Sequence, residues 1–423
     1  MKKMILTGVT ALALLTGGVI GSGSIGSSVE AAQATLKFKD VPSTHWAAAA
    51  INSAVEQGFF QGYADGTFKP GSPVTKAEMA SILGRLTDQP NAAIQETNNF
   101  TDVPEWAKSG VSAAIAKGFI SPANYNGKLD AKASLTRGEM ATWLAQGLSV
   151  VDSDYKQALS DVTNTVIPAK EYFTGKLASN QKNAVAVALG TGLMSVANDK
   201  NFGTDRTTTR AEVAVLIARY ASVAKTKPAD FQGLNELRAV GLTGTNLSII
   251  APQYKKTAKN KFLNSYDYSK VTDNFSEVRN KELVTVTNYA DVKVKNWIIV
   301  NPYVKGLNRS IYYPVFVDDK EKLIRGSYHS FVEFDLKIIR SMSQLQAGSL
   351  LQSPSINALK SPNSVSFSEY AAPHINSSLD NKGIFNVKNP IYWAKGLLHF
   401  DKDLTTQVKL ITKEGTDFNV TAN

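Results

Sequence analysis

Apolar residues recur at helical spacing at Ile51, Ala54 and Val55, and again sixty residues on at Val111, Ala114 and Ile115. Each run predicts a short helix with one buried face. Gly58 and Gly118 follow the two runs and suit the left-handed position that ends a helix. A stretch dense in turn formers comes next, Gln61-Gly62-Tyr63-Ala64-Asp65-Gly66-Thr67-Phe68-Lys69-Pro70-Gly71 in the first instance. A second helix is then predicted, with an apolar stripe at Met79, Ile82, Leu83 and Leu86. Its counterparts are Met140, Trp143 and Leu144, and Val213, Leu216, Ile217 and Tyr220. All three open on Thr-x-x-Glu, as Thr75/Glu78, Thr136/Glu139 and Thr209/Glu212. In that pattern the Thr hydroxyl and the Glu carboxylate satisfy two orphan backbone amides.

The helix–loop–helix unit is therefore an internal repeat. Phe38-Lys-Asp40-Val-Pro, leading to Trp46, matches Phe100-Thr-Asp102-Val-Pro, leading to Trp106. A third copy is aligned through Leu159-Ser-Asp161-Val162, Gly192 and Thr209-Arg210-Ala211-Glu212, without the Trp. Glu78, Glu139 and Glu212 follow their glycines by 20, 21 and 20 residues. One copy has too little apolar matter to stand alone, so the three are expected to pack on one another.

Beyond Tyr220 the pattern changes. Lys225-Thr-Lys-Pro228 reads as a linker, and strict alternation then takes over. Leu283–Thr287, Val292–Val300, Ile311–Val317, Phe331–Ile338 and Thr406–Leu410 are rich in β-branched and aromatic residues and predict strands. The expected class is multidomain, an all-α repeat module followed by a mainly β or α+β domain with a helix near Phe331–Leu350.

Composition narrows the chemistry. The 423 residues include no Cys and four His, which removes thiolate sites and leaves little for a His-based metal site. His329, His374 and His399 lack the short spacings of a zinc helix, and Asp318/Asp319 and Asp401/Asp403 read as loop residues. No catalytic motif, metal or cofactor is expected. Of the net +10, the segment 228–423 supplies 24 basic against 18 acidic residues, scattered rather than clustered. That distribution argues against nucleic acid as a partner. Lys2 and Lys3, an apolar run to Ile20 and small residues around Ala31 and Ala34 read as a secretory signal, with no membrane attachment after cleavage.

The quoted repeats resemble the S-layer homology (SLH) family, marked by Phe-x-Asp-Val-Pro with its Trp, the Gly-Tyr-x-Asp-Gly-Thr-Phe-x-Pro loop and the Thr-Arg-Ala-Glu block. The resemblance covers residues 36–222 and implies a pseudo-threefold module around a central three-helix bundle. With the signal segment and the change of pattern after Tyr220, the expected domains are 1–34 (signal peptide), 35–90, 91–150 and 151–224 (repeats) and 225–423 (the C-terminal domain). The resemblance also implies non-covalent anchoring of a secreted protein to a Gram-positive cell wall through pyruvylated secondary cell-wall polysaccharide. The residues it puts in the grooves are Asp40, Trp46, Lys76, Asp102, Trp106, Arg137, Asp161 and Arg210. Lys76, Arg137 and Arg210 would meet the ketal carboxylate, the Trp faces a sugar ring, and the Asp residues its hydroxyls or the cation. The cations are expected to be exposed. An S-layer or surface-coat component, with self-association in an array, is the expectation for the whole chain. The alternative is a wall-anchored enzyme acting on polysaccharide or peptidoglycan through residues 225–423.

Overall fold

The computed structural model describes residues 38–93, 98–317, 324–351, 365–400 and 407–422, with isolated positions between 352 and 364. The N-terminal segment, both Asp pairs and Thr406 lie outside the described residues. Ala48–Glu56 (α1) and Lys76–Gly84 (α2) form the first helix pair, and Lys108–Ala116 (α3) and Arg137–Val151 (α4) the second. Ser153–Asp161 (α5) and Lys170–Phe173 (α6) precede the third pair, Lys182–Gly190 (α7) and Arg210–Val223 (α8). Gly58, Gly118 and Gly192 all take left-handed φ, 75°, 74° and 70°. Capping boxes close at Thr75, Thr136 and Thr209, each with its Glu three residues on.

The pairs exchange partners around a circle. The first helix of each repeat packs on the second helix of the repeat before it: α3 on α2, α7 on α4, and α1 on α8. At the α2–α3 contact a Cβ on Gly110 would meet the Ser81 Cα at 2.7 Å, so only glycine permits that approach. Three backbone hydrogen bonds close the circle just before the helix starts. Val74 N donates to Thr208 O (3.0 Å), Thr208 N to Leu135 O (2.9 Å) and Leu135 N to Val74 O (2.8 Å).

Gln232–Thr243 (α9) packs on α5 and α7, followed by Leu247–Ile250 (α10). Tyr254–Lys256 (β1), Val271–Thr272 (β2) and Ala290–Val300 (β3) come next. The alternation at Ile311–Val317 gives a helical turn, Tyr313–Phe316 (α11), because Pro314 sits in a first turn and has no N–H for a ladder. Leu283–Thr287 gives one bridge, Leu283 to Thr412, and no extended strand. Ser327–Ile338 (β4) is a strand throughout, so the helix expected from Phe331 shrinks to Gln344–Ala347 (α12), capped by Ser343 and Gln346. Val365–Glu369 (α13), Ile391–His399 (β5), Val408–Ile411 (β6) and Asp417–Ala422 (β7) complete the chain.

β3, β4 and β5 form an antiparallel sheet with β4 central. β7 organises the second sheet, antiparallel to β1 and β6 and parallel to β2. Each face of the first sheet has its own core. Ile298, Val300, Phe331 and Trp393 join the apolar core of the repeats through α9 and Phe316. Val292, Trp297, Val332 and Phe334 pack with Phe418 and Val420 of β7. The linker at Lys225–Pro228 is short, Pro228 is buried, and the two halves share a core.

Candidate functional site

Each second helix presents a basic residue directly after its capping Thr, and the circular packing delivers it into a neighbouring repeat's loop. Arg210 of α8 reaches repeat one, where Nε donates to Phe68 O (2.8 Å) and Nη2 to Gln61 O (2.8 Å). Arg137 of α4 reaches repeat three in the same way, with Nε on Phe202 O (2.9 Å) and Nη2 on Ser195 O (2.9 Å). Lys76 of α2 reaches repeat two, with Nζ 2.7 Å from Glu139 Oε1 and 4.0 Å from Asp130 Oδ2. The expectation of exposed cations is corrected: Lys76, Arg137 and Arg210 keep 7%, 8% and 8% of their surface. The two Arg side chains are covered because their guanidinium groups lie over aromatic rings, Arg210 over Phe68 and Phe60 (4.5 and 4.8 Å) and Arg137 over Phe202 (5.0 Å). Burial lowers the Arg210 pKa, against the opposing pull of Tyr63, Glu78 and Asp40.

Asp40 fixes the loop that receives Arg210. Its two oxygens accept the Phe68 and Lys69 amides, both at 2.8 Å. Asp102 does the same for the amides of Leu129 (2.9 Å) and Ala131 (3.0 Å). Partial burial works to raise both carboxyl pKa values, but the backbone donors outweigh it and hold them below the usual range.

The third copy differs from its sequence alignment. Asp161 lies at the end of α5 and bonds Arg238 Nε (2.9 Å) and Gln157 Nε2 (2.7 Å), away from any such loop. Glu171 takes the loop-fixing role, accepting the amides of Phe202 (2.8 Å) and Gly203 (2.6 Å). The signal was faint, since Lys170-Glu171-Tyr-Phe stands where Asp-Val-Pro does elsewhere. Gly138 replaces the Ala of the other copies because the Gln181 side chain fills the space, with Oε1 2.3 Å from where a Cβ would be.

Trp46 and Trp106 stand 61% and 62% exposed, at the surface and outside the core. His45 stacks on Trp46 at 5.7 Å. Three positions were missed by sequence reasoning: Lys69, Asp130 and Gly203, which occupy one equivalent turn in the three loops. Only Lys69 carried a signal, as the variable residue of the Phe-x-Pro turn.

In the C-terminal half His329 is buried, and burial pushes its pKa down to about 4. His399 Nδ1 lies 2.7 Å from Ser327 Oγ, but Ser327 is wholly buried and out of a substrate's reach. Among the described residues no three His, Asp or Glu side chains gather as a metal site, and no helix is long and apolar enough to cross a membrane.

Comparison with known proteins finds the same three repeats. The S-layer homology domain model matches residues 37–80, 99–141 and 178–214. The cellulosome-anchoring protein of Acetivibrio thermocellus is 36% identical over 90 residues, 20% of each chain. The S-layer protein sap of Bacillus anthracis is 26% identical over 223 residues, 51% of this chain and 24% of that one. An S-layer protein of Bacillus licheniformis is 25% identical over 275 residues, 61% of this chain and 29% of that one. The chain thus spans less than a third of the length of these relatives. Its N-terminal half carries three S-layer homology domains, and these place the protein at the cell-wall surface.

Proposed function

We propose that this is a structural surface-layer protein held non-covalently to the wall by its three repeats, with a pyruvylated secondary cell-wall polysaccharide as the ligand. One observation carries the reading: three helix-start cations, each inserted into the next repeat's loop around a closed ring of hydrogen bonds. The same ring supports a pseudo-threefold module built on α2, α4 and α8. Placing a cation at a helix N-terminus opposes the macrodipole, so both favour an anion from outside. A pyruvate ketal supplies a carboxylate for a cation and a sugar ring for an exposed Trp face. The domain limits 35–90, 91–150, 151–224 and 225–423 belong to this reading. The C-terminal domain is then a coat component that self-associates, with no catalytic role assigned.

The test is co-sedimentation of the full chain with cell-wall sacculi that carry or lack the ketal, at low salt and at 1 M salt. Binding is expected only with the ketal, and to survive salt, since a pair held in a groove is screened less than surface charges at a Debye length of about 3 Å. Release by moderate salt, or equal binding to both sacculi, would refute it.

A further inference from the structure

The three grooves differ electrically, and we propose that the ketal carboxylate is held chiefly in the groove where Arg210 enters the loop of repeat one, with Lys69 as its second cation. This rests on the wall-binding function proposed above.

One backbone position sets the three grooves apart. Lys69, Asp130 and Gly203 all have positive φ, 55°, 58° and 77°. In each case the carbonyl accepts the amide three residues on, from Ser72, Ala133 and Arg206. The three are structurally equivalent and carry a positive, a negative and no charge. In groove one, two cations approach the exposed Tyr63 ring, Lys69 Nζ at 4.0 Å and Arg210 Cζ at 5.1 Å from its centroid. Among the described residues neither has a carboxylate within ion-pair reach, 4.0 Å. Glu78 and Asp40, the acids whose field reaches Arg210, are already engaged, Glu78 by the Thr75 amide and Asp40 by two loop amides.

The other grooves bring their own anions. Lys76 has Glu139 at 2.7 Å and Asp130 at 4.0 Å, two acids for one cation. Arg137 Nη1 lies 3.7 Å from Glu212 Oε1, an oxygen that also takes Arg206 Nη2 at 2.5 Å. A carboxylate entering either must displace or face an acid in ion-pair contact, whereas in groove one both cations are clear of such contact and the acids act on Arg210 only from further off. Like charge opposes binding in groove two, and its greater distance from the cations favours groove one.

The residues themselves supply a clean exchange. Asp and Lys each already occupy this left-handed position in one repeat, and both side chains are exposed, so Lys69→Asp and Asp130→Lys leave the fold intact. The probe is the methyl glycoside of a hexosamine bearing a 4,6-pyruvate ketal, titrated calorimetrically into the full chain. The unketalated glycoside and circular-dichroism melts serve as controls. Expected is one dominant site, a loss of about tenfold or more for Lys69→Asp, and recovery of a tight site in the double variant with Asp130→Lys. Wild-type affinity in Lys69→Asp, or three equal sites in the wild type, would overturn the groove assignment while leaving wall binding standing. A wild-type chain that ignores the ketal glycoside but sediments with sacculi would sink the carboxylate reading and this assignment together.

Discussion

Lys76 Nζ and Glu139 Oε1 lie 2.7 Å apart across the boundary between repeats one and two. Glu139 does two jobs at once, because Oε2 accepts the Thr136 amide at 3.0 Å to complete the capping box. Glu78 completes the same box in repeat one, and Arg210 acts on it only through its field, outside ion-pair contact. Glu78→Ala is therefore expected to cost about 1 kcal/mol, the value of a cap. Glu139→Ala also strands a buried ammonium and should cost about 3 kcal/mol. Thermal melts followed by helicity would show the difference, and equal midpoints would mean that the ion pair adds nothing.

Arg137 is a structural residue as well as a candidate ligand. Its guanidinium satisfies two carbonyls of repeat three and covers Phe202. Arg137→Ala leaves both carbonyls without that donor and opens the ring contact, a loss of about 2 to 3 kcal/mol. Arg137→Lys keeps the charge but cannot hold both carbonyls, so its midpoint should fall too. Urea unfolding of the two variants measures this. An unchanged midpoint in both would return the side chain to a purely ligand-facing role.

The repeats were legible because capping boxes, glycine stops and apolar stripes are local signals, and local chemistry decided those elements. The burial of Lys76, Arg137 and Arg210 was hidden, since it depends on loops 54 to 149 residues away in sequence, from Lys76 to Asp130 at the least and Arg210 to Gln61 at the most. Glu171 was missed for a different reason: function at that position needs only two carboxylate oxygens, and a longer side chain delivers them from a leading segment with no other match. In the second half, β5 escaped notice because Lys395 and Gly396 break its alternation and pairing with β4 alone sets it as a strand. β7 did alternate at Phe418 and Val420, but Asp417 and Asn419 between them are weak strand formers. Asp417 is tolerated in the core because Tyr266 Oη donates to it at 2.5 Å.

His329 gives the C-terminal half an acid sensitivity. Burial holds its folded pKa at about 4, against about 6.5 for an exposed imidazole. The folded state thus resists a proton that the unfolded state takes up. Its contribution to stability is complete above the unfolded value, falls as the pH drops from about 6.5 to about 4, and changes no further below that. Lowering the pH from 7 to 5 should cost about 2 kcal/mol through this residue. Urea midpoints at both values, for the wild type and His329→Gln, isolate the effect, because carboxylate titration is common to both. Parallel pH dependence in the two proteins would dismiss His329 as the source.

The two halves are expected to unfold together. A chain of independent modules joined at Lys225–Pro228 would melt in two steps, and a change on α9 would move only one. The packing argues otherwise. Arg238 of α9 grips Asp154 with two bonds (2.8 and 3.0 Å) and Asp161 with a third (2.9 Å). Gly241 lies so close to α5 that a Cβ there would fall 1.9 Å from Asp161 O. Tyr155 Oη, from α5, donates to Val223 O and Thr226 O at 2.9 Å and so ties down the start of the connection. With Phe316 and Trp393 in the same core as the repeat helices, calorimetry should show one transition. Arg238→Met leaves the Asp161 carboxylate, 6% exposed, without its cation and should lower that transition by about 2 to 3 kcal/mol. Gly241→Ala must push α9 off α5 and should cost at least as much. Two transitions in the wild type, or a variant that moves only part of the heat, would show that the shared core does not couple the anchor to the domain it carries.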